Sequence, residues 1–411
     1  MDNITLTVIY EGQALNRNEK IAGNITSIKK LHFLNEEFSY ISKYAIRHYL
    51  FTTLNSAYKE DWKETSVTSR NDVIQFDISK DDIFTSAELD AFGYMYTIKG
   101  ETSITRKSPL GITKAISLIP YRGDMQFNAN HELVRRAREQ GEDASPNIFQ
   151  SQENMTFYKV SFTFDTKFFG IDEWIVDDYK FDKQKGLLEV EINIKDKDKD
   201  KNKDEDKDKD QKKSGEQQKF LKTFRCVEKS DNENEKFEVY ACDKNGNAVE
   251  GSKGQKIGEI SFHSINGNKK KMIMKLEEKI KKKRIYQILE AIKDGFVAHS
   301  SSEDNTLIPL FIIASHVKVP SPVFHPYIHI DLSEDKPKVI GLRDCYQNSW
   351  IRDMGKVYVY ISERLKADLS DFKDKTLDSW DEFIKPYTDI DEKSSELNKS
   401  EKQCYDEDTK N

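Results

Sequence analysis

The sequence predicts an α+β fold built on a βαββαβ order, the ferredoxin-like or RRM-like pattern. Three observations predict it. Residues 3–10, 113–119, 156–165 and 307–315 gather β-branched and aromatic residues at strand length. Residues 40–54 and 275–296 carry apolar stripes at helical spacing. The six follow one another as strand, helix, strand, strand, helix, strand. The gaps between them are longer than a compact domain of this pattern needs, so the same reading predicts large insertions on a small core.

Residues 3–10 (NITLTVIY) set Ile4, Leu6, Val8 and Tyr10 against polar positions, which predicts a strand. Residues 40–54 (YISKYAIRHYLFTTL) place Ile41, Tyr44, Ala45, His48 and Phe51 near one helical face, with Ser39 or Ser42 to cap the start. Residues 113–119 (TKAISLI) read as a strand, and 156–165 (TFYKVSFTFD) as a strongly alternating one. Residues 275–296 align Leu276, Ile280, Ile285, Ile288, Leu289 and Ile292 on a buried stripe that Gly295 closes. Residues 307–315 (LIPLFIIAS) read as a buried strand.

The chain has 411 residues, 65 Lys+Arg and 72 Asp+Glu, for a net charge of −7. Residues 368–411 hold 14 acids and 7 bases, so the rest of the chain nets to zero and an anionic ligand there is not excluded. The four cysteines, Cys226, Cys242, Cys345 and Cys404, form no CxxC pair. That argues against a disulfide framework or a zinc ribbon and fits a reducing compartment. No apolar run approaches the ~20 residues that span a bilayer, and the first residues lack the basic and apolar regions of a signal peptide. A cytoplasmic protein without membrane contact is expected.

Residues 195–213 (KDKDKDKNKDEDKDKDQKK) hold 9 lysines and 8 acids and no apolar side chain, which predicts a solvated spacer. Beyond it, 237–241 and 257–262 read as short strands. The stretch 176–274 is therefore read as a hairpin-bearing insertion. The stretch 269–284, with nine bases and two acids, reads as a surface for a target strand or as a solvated helix face.

The first strand leads into 14–19 (ALNRNE), then a basic loop, 27–31 (SIKKL), then the helix start with Ser42, Lys43 and Arg47. This places Lys29, Lys30, Lys43 and Arg47 with a helix N-terminus near the end of the first strand. Backbone N–H groups there favour an anion, and Arg47, one turn in, can clamp a phosphate. An ordinary charged surface helix accounts for the same residues.

Several blocks resemble one family. LNRN at 15–18 followed by Ser42 and Ala45-Ile46-Arg47 is similar to the N-terminal signature of the crRNA-binding backbone subunit of type I CRISPR Cascade, the Cas seven / DevR family. Residues 89–95 (LDAFGYM) resemble that family's acidic-x-Phe-Gly-x-Met segment, and 106–117 (RKSPLGITKAIS) its Arg-x-(Ser/Gly)-Pro segment. The strand region 154–170, with Tyr158 and Phe169-Gly170, also fits, and subtype I-B fits best.

The resemblance implies a right-hand shape: an RRM-like palm, helical fingers and a β-hairpin thumb. The palm would comprise 1–55, 113–175 and 275–345, the fingers 56–88, the thumb 89–112, the insertion 176–274, and a C-terminal extension 346–411. The thumb hairpin, 94–109, would carry Tyr94, Met95, Tyr96, Lys99 and Pro109, with Lys99-Gly100 near its tip. The resemblance further implies a non-catalytic subunit that lines up head-to-tail along the guide and displaces one nucleotide per copy. The bases between would stay free to pair with target DNA. Affinity would come from phosphates and fall with salt. Lys29, Lys30, Ser42, Lys43, Arg47 and His48 are the expected palm contacts, Arg106 and Lys107 those at the thumb base, with Arg122 added. Asn16 and Arg17 are read as organising their loop. The implied partners are crRNA, target DNA, copies of this chain and the Cas five, Cas eight and Cas six subunits. No cofactor or metal is expected.

Three rivals compete. A target-RNA-cleaving type III backbone subunit would place an acid in the loop after the first strand, where 23–31 (GNITSIKKL) has none. A metal enzyme would use His316, His325, His329 and Asp331. A general single-stranded RNA-binding protein would need exposed aromatics, for which Tyr94 and Tyr96 are the candidates.

Overall fold

The computed structural model describes residues 2–13, 25–70, 73–98, 102–193, 219–229, 235–241, 255–265, 269–300, 303–351 and 356–388. Asn16, Arg17, Lys99, the run 195–213 and the tail beyond 388 lie outside the described residues. The fold is mixed α/β and rich in strands. No described helix is long and apolar enough to cross a membrane. The chain divides into two compact units, the first of Met1–Ala57, Leu110–Thr166 and Gln287–Lys385, the second of Tyr58–Pro109, Lys167–Tyr286 and Pro386–Asn411.

The first unit is organised by one antiparallel sheet. Its strands run in the order Tyr358–Ile361, Pro309–Val317, Asn3–Gln13, Met155–Phe164, Ala115–Ser117, Glu36–Ile41 and Lys30–Phe33, with Leu110–Ile112 also paired to Met155–Phe164. The central strand Asn3–Gln13 is buried almost throughout because both faces are covered. One face carries Ile4, Leu6, Val8 and Tyr10, none exposed. Tyr10 meets Phe296 with ring centroids 5.7 Å apart. On the other face, Ile9, Phe311 and Ile313 share a core with Val323, Phe324 and Val339.

That second face also holds a chain of polar groups. Thr7 Oγ1 and Ser161 Oγ lie 2.7 Å apart, and Ser161 Oγ lies 2.8 Å from His325 Nδ1. The Lys159 ammonium donates to the carbonyls of His325 at 2.6 Å and Ile328 at 2.8 Å. Burial pulls the Lys159 amine down to about 8, and burial with the Lys159 charge pulls His325 down to about 4. These bonds satisfy buried polar groups and fix the segment 325–328 to the sheet.

Several boundaries differ from the sequence reading. The first helix runs Lys43–Ala57, because Tyr40 and Ile41 belong to strand Glu36–Ile41 and pair with Ile116 and Ala115. Ser42 then caps the helix, its hydroxyl accepting from the Ala45 amide at 3.2 Å. The segment 113–119 is strand only at Ala115–Ser117, and a separate short strand, Leu110–Ile112, precedes it. The fourth strand is Pro309–Val317, and Leu307 instead ends the preceding strand Glu303–Leu307. The segment assigned to a C-terminal extension lies within the first unit as far as Lys385, since Tyr358–Ile361 adds an edge strand to the sheet.

The second helix runs Glu278–Asp294. Leu276 is not on its stripe. It ends strand Lys270–Leu276, where Met272, Met274 and Leu276 alternate inward.

In the second unit, the described residues of 58–88, 89–109 and 176–274 share one core rather than forming separate insertions. Ile171–Val176 pairs with Lys270–Leu276, and Asp178–Asp182 pairs with Leu187–Asn193. Only Asp177 separates them, so they act as one bent strand. The pairings therefore close into a ring through Lys219–Lys229, Lys236–Tyr240 and Lys256–Ser264. Trp174, Val190, Phe224, Val239, Ile260 and Met274 are among the side chains of its core. Residues 167–175, assigned to the palm, belong here because they start this bent strand.

Of the hairpin expected at 94–109, Tyr94–Ile98 pairs with Thr102–Arg106, and 107–109 lie beyond the paired strands. Its inward side, Tyr94, Tyr96 and Ile104, joins the barrel core, while Met95 is exposed. In the segment 56–88, helix is found only at the two ends, where Lys43–Ala57 finishes and Ala87–Phe92 starts; the described residues from Tyr58 to Ser86 form none. Its regular structure is a second hairpin, Val67–Arg70 with Val73–Phe76, and the short helix Ala87–Phe92 follows. Gly93 ends that helix at φ +65°, and a Cβ there would stand 2.4 Å from the Arg106 carbonyl oxygen.

Candidate nucleic-acid interface

In the first unit a cleft of about 610 Å³ opens at the start of helix Lys43–Ala57. It is lined by Lys29, Tyr40, Ser42, Lys43, Tyr44, Ala45, His48, Tyr49, Lys114 and His299. Four local structures place the basic groups. Lys29 sits just before strand Lys30–Phe33, held by its carbonyl accepting from the Tyr40 amide at 2.9 Å. Lys43 and His48 ride the first turns of the helix. Lys114 stands at the break between Leu110–Ile112 and Ala115–Ser117, and His299 on strand Phe296–Ser300.

None of the described residues lining the cleft is acidic. The helix also has no acid in its first turn. Lys43 at that positive end is unfavourable until an anion is added. The arrangement is therefore suited to phosphate oxygens, with three ammonium groups, the Ser42 hydroxyl and two imidazoles among its donors. Two of these are already engaged, His299 with Asp304 Oδ1 at 2.7 Å and Ser42 with the Ala45 amide.

The sequence-predicted contacts divide. Lys29, Ser42, Lys43 and His48 come together in the cleft. Lys30 adjoins it in sequence but pairs with Glu37 at 3.1 Å and lies over the Tyr121 ring at 4.5 Å. Arg47 is half-buried on the same helix and does not line the cleft, and Arg122 is exposed away from its lining. Lys107 is exposed in the second unit. Lys114 and His299 were missed. Each lies on or beside a short strand, with no basic neighbour to mark it.

Arg106 is a correction. It is buried and belongs to an internal knot of the second unit. Asp90, with no exposed side chain, accepts from Arg106 at 2.8 Å, from Arg284 at 2.9 Å and from the Gly170 amide at 2.8 Å. Arg106 also donates to the carbonyls of Ile171, Leu89, Asp90 and Phe168, and Arg284 to those of Ile83 and Phe84. A guanidinium so fully engaged cannot reach a phosphate. The Asp90, Gly93 and Arg106 of the family-like blocks thus hold the fold.

The stacking aromatics of the general RNA-binding reading are also corrected. Tyr94 and Tyr96 are 8% and 1% exposed. Tyr94 donates to Asp172 Oδ2 at 2.6 Å and accepts from the Trp174 indole at 2.7 Å. Burial raises the Asp172 carboxyl to about 6 against the opposing pull of Arg106. Pro109 is buried as well.

The histidines of the metal reading have separate partners. His316 Nε2 is 3.2 Å from the Phe383 carbonyl, His325 is on Ser161, and His329 Nδ1 accepts from the Ile330 amide. Among the described residues no group of three His, Cys, Asp or Glu is placed to hold a metal.

A family model described as "CRISPR-associated negative auto-regulator DevR/Csa2" matches residues 4–337. This chain belongs to that family. No curated protein sequence matches it. Among solved structures, a chain of "CRISPR RNA-guided surveillance complex, pre-nicking" is similar at 7% identity, over 47% of this chain and 78% of that one, with TM-score 0.27. A chain of "CRISPR RNA-guided surveillance complex" is similar at 10% identity, over 47% and 70%, with TM-score 0.24.

Proposed function

We propose that this CRISPR-associated protein is a non-catalytic backbone subunit of a Cascade-type effector that holds the phosphates of a crRNA guide. The observation that carries the reading is the acid-free cleft of Lys29, Lys43 and Lys114 in a chain of the DevR/Csa2 family. The strand order Pro309–Val317, Asn3–Gln13, Met155–Phe164, Ala115–Ser117 supports an RRM-like palm, and the 94–106 hairpin supports a thumb.

In this reading the protein recognises backbone and leaves sequence to base pairing, by analogy with other guided effectors. Copies stack head-to-tail along the guide, a heterologous contact that extends as an open helix until the guide ends. Each hairpin displaces one nucleotide, and the bases between pair with target DNA. Cas five, Cas eight and Cas six subunits complete the assembly in the cytoplasm, in a type I-B system. The protein does not cut RNA.

The test is purification of the full chain from cells that also express the CRISPR array and its processing enzyme. Array-derived RNA of one length, bound to several copies, is the expected result. RNA of mixed origin would favour general binding. The chain's own message would favour the auto-regulation in the family's name. A nucleic-acid-free monomer that stays so when the partner subunits are added would overturn the proposal.

A further inference from the structure

We infer that Tyr44 is a stacking platform for one unpaired nucleobase, so that the cleft holds a whole nucleotide and not a phosphate alone. This rests on the RNA-binding reading above and adds a subsite to it.

Tyr44 is 70% exposed, whereas its helix neighbour Tyr49 is 6% exposed. It lines the cleft together with Lys29, Lys43 and Lys114. Other exposed aromatics, Phe33, Phe127, Phe149, Phe168 and Trp350, do not line it. The Lys43 ammonium lies over the Tyr44 ring, 4.9 Å from its centroid. An exposed ring with an ammonium over one of its faces can meet both parts of a nucleotide, stacking a base on its other face and pairing a phosphate with the ammonium. The cleft, at about 610 Å³, falls within the ~300–1,000 Å³ of ligand-sized sites. Every base has a π-face, so stacking is indifferent to sequence, as a protein reading a variable guide requires.

The experiment measures fluorescence-polarisation affinity of the full chain for a labelled oligoadenylate and for an abasic RNA of the same length. The variants are Tyr44→Ala, Tyr44→Phe and the double variant Lys29→Ala/Lys43→Ala, each checked for an unaltered thermal transition. Tyr44→Ala is expected to weaken oligoadenylate binding about 5- to 150-fold while abasic RNA binds as before. Tyr44→Phe, which keeps the ring, retains oligoadenylate binding. If Tyr44→Ala weakens both RNAs equally, or neither, while the lysine variant weakens both, the platform is refuted and the phosphate reading stands. If the lysine variant also leaves both affinities intact, the cleft reading falls and the platform with it.

Discussion

Two groups of basic side chains, one in each unit, meet opposite fates. In the second unit Arg106 and Arg284 close on Asp90 and on backbone carbonyls, leaving their charge nothing further to bind. In the first, Lys29, Lys43 and Lys114 face a cleft that no carboxylate lines among the described residues. The difference teaches that what matters is whether an acid is folded opposite a base. Arg106 and Lys107 are neighbours in sequence, yet the first ends strand Thr102–Arg106 facing the core and the second, just beyond the strand, is exposed.

The largest expected effect breaks the knot. Arg106→Ala removes one of the two guanidinium partners of the buried Asp90 carboxylate, leaving its Oδ1 with the Gly170 amide alone, and strips a donor from four carbonyls, which costs about 3–5 kcal/mol. Denaturant unfolding should show that loss, while RNA affinity per folded molecule holds. A variant of parental stability with weakened RNA binding would reverse the comparison and return Arg106 to the interface.

The units should also answer pH in opposite senses. Asp172, in the second, has a folded value of about 6, above the ~3.9 of an unfolded aspartate. The folded state keeps the proton longer, so this group's contribution is present below about pH 4 and lost as pH rises to 6. That amounts to about 3 kcal/mol. His325, in the first, has a folded value of about 4, below the ordinary ~6.5. Its contribution is present above about pH 6.5 and lost as pH falls to 4. Stability measured against pH should therefore favour Asp172→Asn over the parent increasingly from pH 4 to 6, and His325→Gln over the parent increasingly from 6.5 down to 4. Both differences moving the same way would end the contrast.

How much of this was legible follows the range of each signal. The strands at 3–10, 156–165 and 307–315 could be read because alternation or apolar density is local and both faces of the sheet are covered. Leu276 misled because an inward-alternating strand runs directly into an amphipathic helix, and its position suits either period. The barrel was hidden because its strands are interrupted by the polar run 195–213 and closed by a strand bent at Asp177. Within the cleft, Lys29 and Lys43 announced themselves through the basic loop and the helix start. Lys114 and His299 arrive by sheet pairing from far along the chain, and so did not. The Asp90 knot needed Arg284, brought across 194 positions.

Smaller effects sharpen the cleft itself. Lys29→Ala and Lys43→Ala should each weaken RNA binding several-fold and lower the slope of log affinity against log salt by about 1. Stability should stay within about 1 kcal/mol, because Lys43 is exposed and Lys29 only half-buried. A titration of affinity across salt concentrations decides it. An unchanged slope would mean these lysines release no counterions and the cleft is not where the backbone lies.

The smallest effect separates a cap from a contact at one residue. Ser42 both caps the helix and lines the cleft. Ser42→Ala removes the cap and should cost about 1 kcal/mol of stability. Ser42→Asp keeps a good cap and adds a favourable charge at the helix start, so the fold should be as stable as the parent or slightly more so. The same carboxylate would stand among Lys29, Lys43 and Lys114, where it competes with phosphate. Thermal unfolding and RNA affinity should then part company, with stability kept and binding lost. If Ser42→Asp binds RNA as the parent does, the cations of this cleft are not holding the guide, and the first unit has used its charge no more openly than the second.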